Sequence, residues 1–291
     1  MLAIEAIKKI NQKNLPSLTV VTGEDLGQFE LLKEQLLKQI QFNTADLNVA
    51  LFDMKEADYK QVELDLVSLP FFSDEKIMIL DHFVDLTTAK KRHMTDEELK
   101  SFEAYLENPV ETTKLIILAE GKLDSKRRIV KLLKRDAQVF EASELKEQDL
   151  RDYFNKVAQA ENLQFAPTVF DQLLIKSGFQ FSEISKNLSF LKGYKPDGQI
   201  ELEDITEAIP KTLQDNIFDL TQLILKQRVD EARSLVSDLR LQGEDEIKLI
   251  AIMLGQFRIF TQIKLLAEKG RSESQIVSDL SDYLGRKVNP Y

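Results

Sequence analysis

The segment LTVVTGEDLGQF, residues 18–29, decides the fold of the first part of the chain. Its first five residues form a β-branched apolar run, which predicts a buried strand, and Gly23 predicts the turn that ends this strand. Residues 28–41 then carry apolar side chains at spacings of three and four residues, which predicts a helix. A strand, a glycine turn and a helix in this order are the setting in which many proteins bind the phosphates of a nucleotide.

This turn lacks the residues with which such a loop binds phosphate. A working loop reads G-x-x-x-x-G-K-[ST], with backbone N–H groups around the phosphates and a lysine that reaches the outer ones. Here the turn contains Gly23, Glu24, Asp25 and Gly27, and neither the lysine nor the hydroxyl follows. The two carboxylates would repel phosphate, or they simply favour the N-terminus of the helix through their charge. Both interpretations predict that the chain does not bind ATP in the usual way.

Strands alternate with helices as far as residue 142. After the first strand, apolar runs predict four more, at residues 49–54, 76–80, 114–119 and 138–141. Because three of the strands are almost wholly apolar, we expect a parallel sheet that is covered on both faces. From residue 143 onward the periodicity is helical, with boundaries predicted near residues 142 and 211. The expected fold class is therefore α/β plus all-α.

Asp81 ends the third predicted strand, at the position from which an acidic side chain helps to hold magnesium in nucleotide-binding folds. Because the phosphate loop lacks its lysine, no bound nucleotide is expected beside this carboxylate. Asp81 is therefore interpreted as a degenerate counterpart of the acidic residue that helps to hold magnesium. The chain has no cysteine and only two histidines, and no metal-ligand spacing is present. We therefore expect no metal, no cofactor and no catalytic residues.

An unusual apolar cluster, Leu69, Pro70, Phe71 and Phe72, lies between the second helix and the third strand. Pro70 prevents the preceding helix from continuing. One interpretation is that these side chains fold back onto the edge of the sheet. The other is an exposed tip that enters a pocket on a partner, because aromatic anchors dominate the energetics of interfaces. The residues alone leave both interpretations open.

Charge and composition limit the partners and the location of the chain. The net charge is −10, whereas a free-standing nucleic-acid binder usually carries a basic domain or stripe. The basic stretch at residues 122–135 fits either a contact with nucleic acid or an acidic partner, or a solvated helix face. The N-terminus lacks the pattern of a signal peptide, and no stretch is expected to be long enough to span a bilayer. We expect a cytoplasmic protein.

Together these features resemble the delta subunit family of the bacterial clamp loader, which is part of the DNA polymerase III holoenzyme. The resemblance covers essentially the whole chain. It is carried by VVTGED at residues 20–25, by the apolar cluster before the strand at 76–80, by residues 114–134 and by residues 239–266. It implies a RecA/AAA+-like parallel-sheet domain at residues 1–142, a small helical lid domain at 143–211 and a helical collar domain at 212–291 that oligomerises. The last residues, 285–291, resemble a position before further collar helices, which implies a truncated collar.

The resemblance also implies a function. Members of this family do not hydrolyse ATP, and they bind and open the ring-shaped sliding clamp (beta ring) with an apolar tip, which corresponds to Leu69, Pro70, Phe71 and Phe72. The implied partners are the clamp, the ATPase and delta-prime subunits, and primed DNA within a DNA-directed DNA polymerase (nucleotidyltransferase) complex, without a membrane. The alternative is another AAA+-related ATPase or scaffold subunit of a DNA-replication or repair complex. The lack of cysteine argues against the delta-prime subunit, which normally carries a zinc module.

Overall fold

The computed structural model describes residues 2–43, 45–70, 73–210 and 213–284. The chain divides into two compact units. One consists of Met1–Asn155 with Gln180–Ser185, and the other consists of Lys156–Phe179 with Lys186–Tyr291. The predicted division into three domains, at residues 1–142, 143–211 and 212–291, stays a prediction.

The first unit is built around a parallel sheet of five strands in the order β2-β3-β4-β1-β5. Its strands are β1 (Leu18–Gly23), β2 (Val49–Asp53), β3 (Lys76–Asp81), β4 (Thr113–Glu120) and β5 (Gln138–Ala142). Its helices are α1 (Ala3–Ile7), α2 (Leu26–Gln39), α3 (Tyr59–Val67), α4 (Asp96–Glu107), α5 (Arg128–Asp136) and the first part of α6 (Glu147–Ala160). The five predicted strands and the parallel sheet are confirmed.

The central strands are buried because they are apolar on both faces. Every residue of β1 is buried, and six of the eight residues of β4 are buried. The two strands lie side by side with Val20 opposite Ile117. The edge strand β2 is only half-buried, and Leu51 on it is exposed. Strands that are apolar throughout suit a parallel sheet, because helices cover both faces of such a sheet. Each Val, Leu or Ile side chain that is buried in this way stabilises the folded state by about 1.5–3 kcal/mol.

Local hydrogen bonds between side chains and backbone set where α4 and α5 begin. Helix α4 begins with a capping box, since the Thr95 side chain accepts from the backbone of Glu98 and the Glu98 side chain accepts from the backbone of Thr95. The basic helix α5 begins only at Arg128. The Asp124 side chain accepts a hydrogen bond from the backbone N–H of Lys126 at 3.1 Å, which holds these residues in a turn before the helix.

Beyond α6 the chain is mostly helical. The helices are α7 (Pro167–Lys176), α8 (Phe181–Tyr194), α9 (Leu202–Ala208), α10 (Leu213–Leu225), α11 (Val229–Leu241), α12 (Glu246–Glu268) and α13 (Glu273–Leu284). Two short parallel strands, β6 (Gln164–Phe165) and β7 (Gln199–Ile200), were not predicted. Strands of two residues are too short to show a period of two, so the sequence pattern does not reveal them.

Helix α12 is a long and apolar helix of 23 residues. Among the described residues it is the one helix long and apolar enough to cross a membrane, with a mean hydropathy of 1.4 over 18 residues and only 6% of that window buried. The expectation that no stretch is long enough is therefore wrong by length and composition. Ile247, Ile250 and Leu254 are exposed along this helix.

Candidate functional site

The turn between β1 and α2 is held against the ends of two neighbouring strands. The N–H of Gly23 donates to the carbonyl oxygen of Gly121 at 3.0 Å, and the Gly23 carbonyl accepts from the N–H of Gly121 at 2.8 Å. Gly23 has a φ of 139°. A Cβ added there would lie 2.1 Å from the carbonyl oxygen of Ala142 at the end of β5. Backbone conformation and space therefore both exclude a side chain at this position.

The first turn of α2 is occupied by groups of the chain itself. Asp25 caps the helix, because its Oδ1 accepts from the backbone N–H of Gln28 at 3.0 Å. The Gln28 Nε2 donates to Asp25 Oδ2 at 2.7 Å and to the Ser143 carbonyl at 2.8 Å. Backbone N–H groups at a helix N-terminus are the donors that bind phosphate in nucleotide-binding proteins. A phosphate group would have to displace the Asp25 carboxylate from this position.

The two remaining residues of the degenerate loop differ in their surroundings. Glu24 is exposed. Gly27 lies against the start of α8, since a Cβ at this glycine would be 2.9 Å from the Cβ of Ser182. The loop is thus closely packed and its helix end is capped by a carboxylate, which favours the prediction that it does not hold ATP in the usual way. That absence stays a prediction.

Asp81 is paired with a lysine rather than left open at the end of β3. The Nζ of Lys33, on α2, lies 2.7 Å from Asp81 Oδ2, and the two side chains are 21% and 12% exposed. The other carboxylate oxygen, Oδ1, accepts from the backbone N–H of His82 at 2.8 Å. Lys33 therefore supplies the positive charge beside Asp81 that a magnesium ion supplies in the active nucleotide-binding folds.

His82 lies between Asp81 at the end of β3 and Asp53 at the end of β2. Its φ is 55°, and its Nδ1 lies 3.1 Å from Asp53 Oδ1 at the end of β2. The backbone N–H of Lys55 and the nearby His82 hold the pKa of the Asp53 carboxyl below its usual value. Among the described residues, no group of three or more His, Cys, Asp or Glu side chains is arranged to hold a metal ion.

A buried lysine connects the residues that flank the apolar cluster. Lys76, the first residue of β3, is only 6% exposed. Its Nζ donates to the Asp65 carbonyl and to Ser68 Oγ, the latter at 2.7 Å, and lies 3.3 Å from Asp65 Oδ1. All three donors of the ammonium group therefore have acceptors, as a buried lysine requires. The end of α3 and the start of β3 are joined on either side of the tip.

The apolar surface beside the tip is wider than the sequence predicts. Leu69 is 69% exposed and Pro70 is half-buried, while Phe71 and Phe72 lie outside the described residues. On α3, Leu64 is 70% exposed and Val67 is 54% exposed, although Val62 and Leu66 on the same helix are fully buried. For Leu69, the exposed side chain favours the interpretation of a tip over folding back onto the sheet. Leu64 and Val67 were missed, and the available signal was that they are apolar but lie off the buried face of α3.

Two family models match the chain after residue 19. The model for "DNA polymerase III, delta subunit" matches residues 20–143, and the model for "DNA polymerase III delta subunit, C-terminal domain" matches residues 214–291. Between them they cover more than half of the chain. The chain belongs to the DNA polymerase III delta subunit family. Its place in DNA replication follows from this membership, and α12 falls within the C-terminal domain of the family.

Relatives from Bacillus subtilis agree with this assignment. The DNA polymerase III subunit delta of strain 168 is 29% identical over 250 residues, which are 85% of this chain and 70% of that protein. The solved structure of the Bacillus subtilis DNA clamp loader delta protein aligns with a TM-score of 0.60 at 25% identity, over 96% of this chain and 82% of that one. The predicted fold class, α/β plus all-α with a parallel-sheet domain followed by helical regions, is confirmed.

Proposed function

We propose that this delta-family chain binds the sliding clamp (beta ring) and opens it, and that the contact is the tip formed by Leu69, Pro70, Phe71 and Phe72. The observation that carries the proposal is the exposed apolar surface of Leu64, Val67 and Leu69, which stands next to a buried anchoring network. Monomeric proteins seldom leave adjacent large apolar side chains exposed without a partner that covers them.

The energy for opening would come from burial of the tip. Each large apolar side chain that moves from water into a clamp pocket contributes about 1.5–3 kcal/mol, and the loss of freedom on association removes a large part of the sum. Binding alone does not open a ring. The tip shifts the ring toward its open form only to the extent that it binds the open form more tightly than the closed form.

Neighbouring subunits would bind and hydrolyse ATP. The carboxylate of Asp25 caps the helix end where phosphate would lie, and Lys33 already neutralises Asp81. The chain would therefore act without intrinsic catalysis, beside the ATPase and delta-prime subunits and the primed DNA of the complex. We expect it in the cytoplasm, where bacterial DNA replication takes place. The exposed side chains of Ile247, Ile250 and Leu254 on α12 would pack against neighbouring subunits in a collar.

Clamp binding by tip variants tests the proposal. We expect the combined change of Leu69, Phe71 and Phe72 to serine to abolish detectable binding to the purified clamp in surface plasmon resonance. The matched control is Leu202→Ser, which alters another half-exposed leucine (49% exposed) on α9, far along the chain from the tip. A folded triple variant that binds the clamp as tightly as the control variant would overturn the proposal.

A further inference from the structure

The outer edge of the parallel sheet is formed by β2. Across the residues that the structure describes, β2 pairs with β3 alone and stands first in the strand order. None of its side chains is buried, and Leu51 at its centre is 49% exposed. The edge of β2 is therefore open to a further strand.

The hydrogen bonds between β2 and β3 show which backbone groups of β2 point away from the sheet. The Asn48 carbonyl accepts from the N–H of Ile77 at 2.8 Å, and the N–H of Met54 donates to the Asp81 carbonyl at 2.9 Å. Between these two bonds the register is unbroken, so alternate residues of β2 direct both their N–H and their carbonyl groups to β3. The residues that direct these groups to the open edge are Val49, Leu51 and Asp53.

Val49 and Asp53 each use one of their outward groups inside the chain. The N–H of Val49 donates to the Asp46 carbonyl at 3.1 Å, and the Asp53 carbonyl accepts from the N–H of Ala57 at 2.8 Å. The outward groups that keep no partner in the described part of the chain are the Val49 carbonyl, the N–H and the carbonyl of Leu51, and the N–H of Asp53.

These groups are complementary to those of a second copy of the same strand. In an antiparallel pair centred on Leu51, the N–H and the carbonyl of one Leu51 would bond to the carbonyl and the N–H of the other. The N–H of each Asp53 would bond to the Val49 carbonyl of the other copy. The Val49 N–H and the Asp53 carbonyl would come next in this ladder, and both already have partners. Two-fold symmetry therefore uses every free group of the edge.

The side chains of β2 are compatible with the same pairing. On one face of the sheet, the exposed Leu51 side chains of the two copies would meet at the two-fold axis. On the other face, Ala50 would lie opposite Phe52 of the other copy, so a small side chain faces a large one. Asp53 would lie opposite Val49, and no like charges would be directly opposed.

Strand β2 also lacks the features that normally keep edge strands from pairing. Natural sheets protect their edges with proline, lysine, a bulge or a covering segment. The sequence of β2, VALFD, contains neither proline nor lysine, and its register with β3 has no bulge. A regular, mostly apolar edge without this protection is suited to strand addition.

We propose that two copies of this chain associate through their β2 edges, in an antiparallel pairing centred on Leu51 that joins the two sheets into one. This contact is separate from the proposed clamp contact, because no residue of the tip belongs to β2. The interface is small, so the association is weak and reversible.

Sedimentation of the full chain tests the association. We expect the weight-average mass to rise from 33.5 kDa toward twice that value between about 1 and 300 µM, since small interfaces give weak dimers. Leu51→Lys places two positive charges opposite each other at the two-fold axis, and we expect it to weaken the dimer about tenfold. The matched control is Leu202→Lys, which alters a leucine on α9 with the same exposed fraction of 49%.

A charge exchange at position 51 distinguishes the two-fold pairing from other contacts. We expect Leu51→Glu alone to weaken the dimer as Leu51→Lys does, because two carboxylates then face each other. An equimolar mixture of the two variants should associate about as tightly as the wild type, since opposite charges are then paired at the axis. Circular dichroism melting of each variant excludes unfolding as the cause.

Three results would overturn the proposal. One is a wild-type chain that stays monomeric up to about 300 µM. Another is a dimer that Leu51→Lys and Leu202→Lys weaken equally, or that the charge-exchanged mixture does not restore, which would place the contact elsewhere. A third is a chain that is monomeric alone and whose binding to the purified clamp is weakened by Leu51→Lys, which would assign the edge to a strand of the clamp.

Discussion

Lys76 and Ser68 are joined across the base of the tip by a hydrogen bond of 2.7 Å between the Lys76 Nζ and the Ser68 Oγ. Ser68 lies immediately before the tip, and Lys76 begins the strand that follows it. Because Lys76 is buried, this bond is shielded from water and fixes the two ends of the tip relative to each other. Under the proposed function, this rigid base would lower the entropy that the tip loses on entering a clamp pocket.

Replacing Lys76 with methionine should therefore weaken clamp binding as well as the fold. Methionine matches the length of lysine and keeps the packing, but it removes the contacts to Asp65 and Ser68. We expect clamp affinity to fall about tenfold, while the free energy of unfolding in urea falls by about 1–2 kcal/mol. Lys33→Met, which breaks the ion pair with Asp81 away from the tip, is the control. Unchanged clamp affinity in Lys76→Met would mean that the base does not position the tip.

The exposed side chains of α3 should extend the contact with the clamp. We expect Leu64→Ser and Val67→Ser each to weaken clamp binding by about 1 kcal/mol, because each side chain is only partly buried at the edge of the contact. Since both side chains are exposed, the free energy of unfolding should change by less than about 0.5 kcal/mol. Binding titrations and urea melts measure the two quantities. If neither variant alters binding, the contact is confined to the tip.

Much of this architecture is predictable from local sequence, and the site is predictable only in part. Apolar runs predict all five strands of the parallel sheet, since a strand covered on both faces is apolar throughout. The capping box at Thr95 is equally local. Leu64 and Val67 were missed because periodicity finds the buried face of α3 but does not say whether other apolar residues are covered.

The polar contacts of the site depend on tertiary structure. Lys33 and Asp81 are 48 residues apart in the sequence, and no spacing rule connects a lysine on one helix with the end of a later strand. Asp25 is different, because a carboxylate at this place in the sequence favours a helix N-terminus through its charge, and in the structure Asp25 is the N-cap of α2. The same local chemistry that caps α2 places a carboxylate where a nucleotide-binding loop would bind phosphate.

The degenerate phosphate loop should tolerate no side chain at Gly23. A Cβ there would lie 2.1 Å from the Ala142 carbonyl, and the φ of 139° is strained for any other residue. We expect Gly23→Ala to lower the free energy of unfolding by at least about 3 kcal/mol. Gly255→Ala on α12 is the matched control, because no atom lies within 4 Å of its added Cβ, and it should stabilise the chain by about 0.5–1 kcal/mol. Chemical denaturation measures both, and equal stability of the two variants would contradict the packing of the loop.

Alkaline pH should destabilise the first unit through Tyr153. This residue packs against Phe154 and Phe181, with ring centroids 5.1 and 5.3 Å apart, and burial raises the pKa of its hydroxyl from 10.0 to about 12. Above pH 10 the tyrosine of the unfolded chain loses its proton while the folded one keeps it, so the unfolded state binds fewer protons and stability falls between about pH 10 and 12. The loss attributable to this group is at most about 2–3 kcal/mol. In urea melts across this pH range, the free energy of unfolding should decline less steeply for Tyr153→Phe than for the wild type. Parallel declines would mean that Tyr153 ionises equally in the folded and unfolded states.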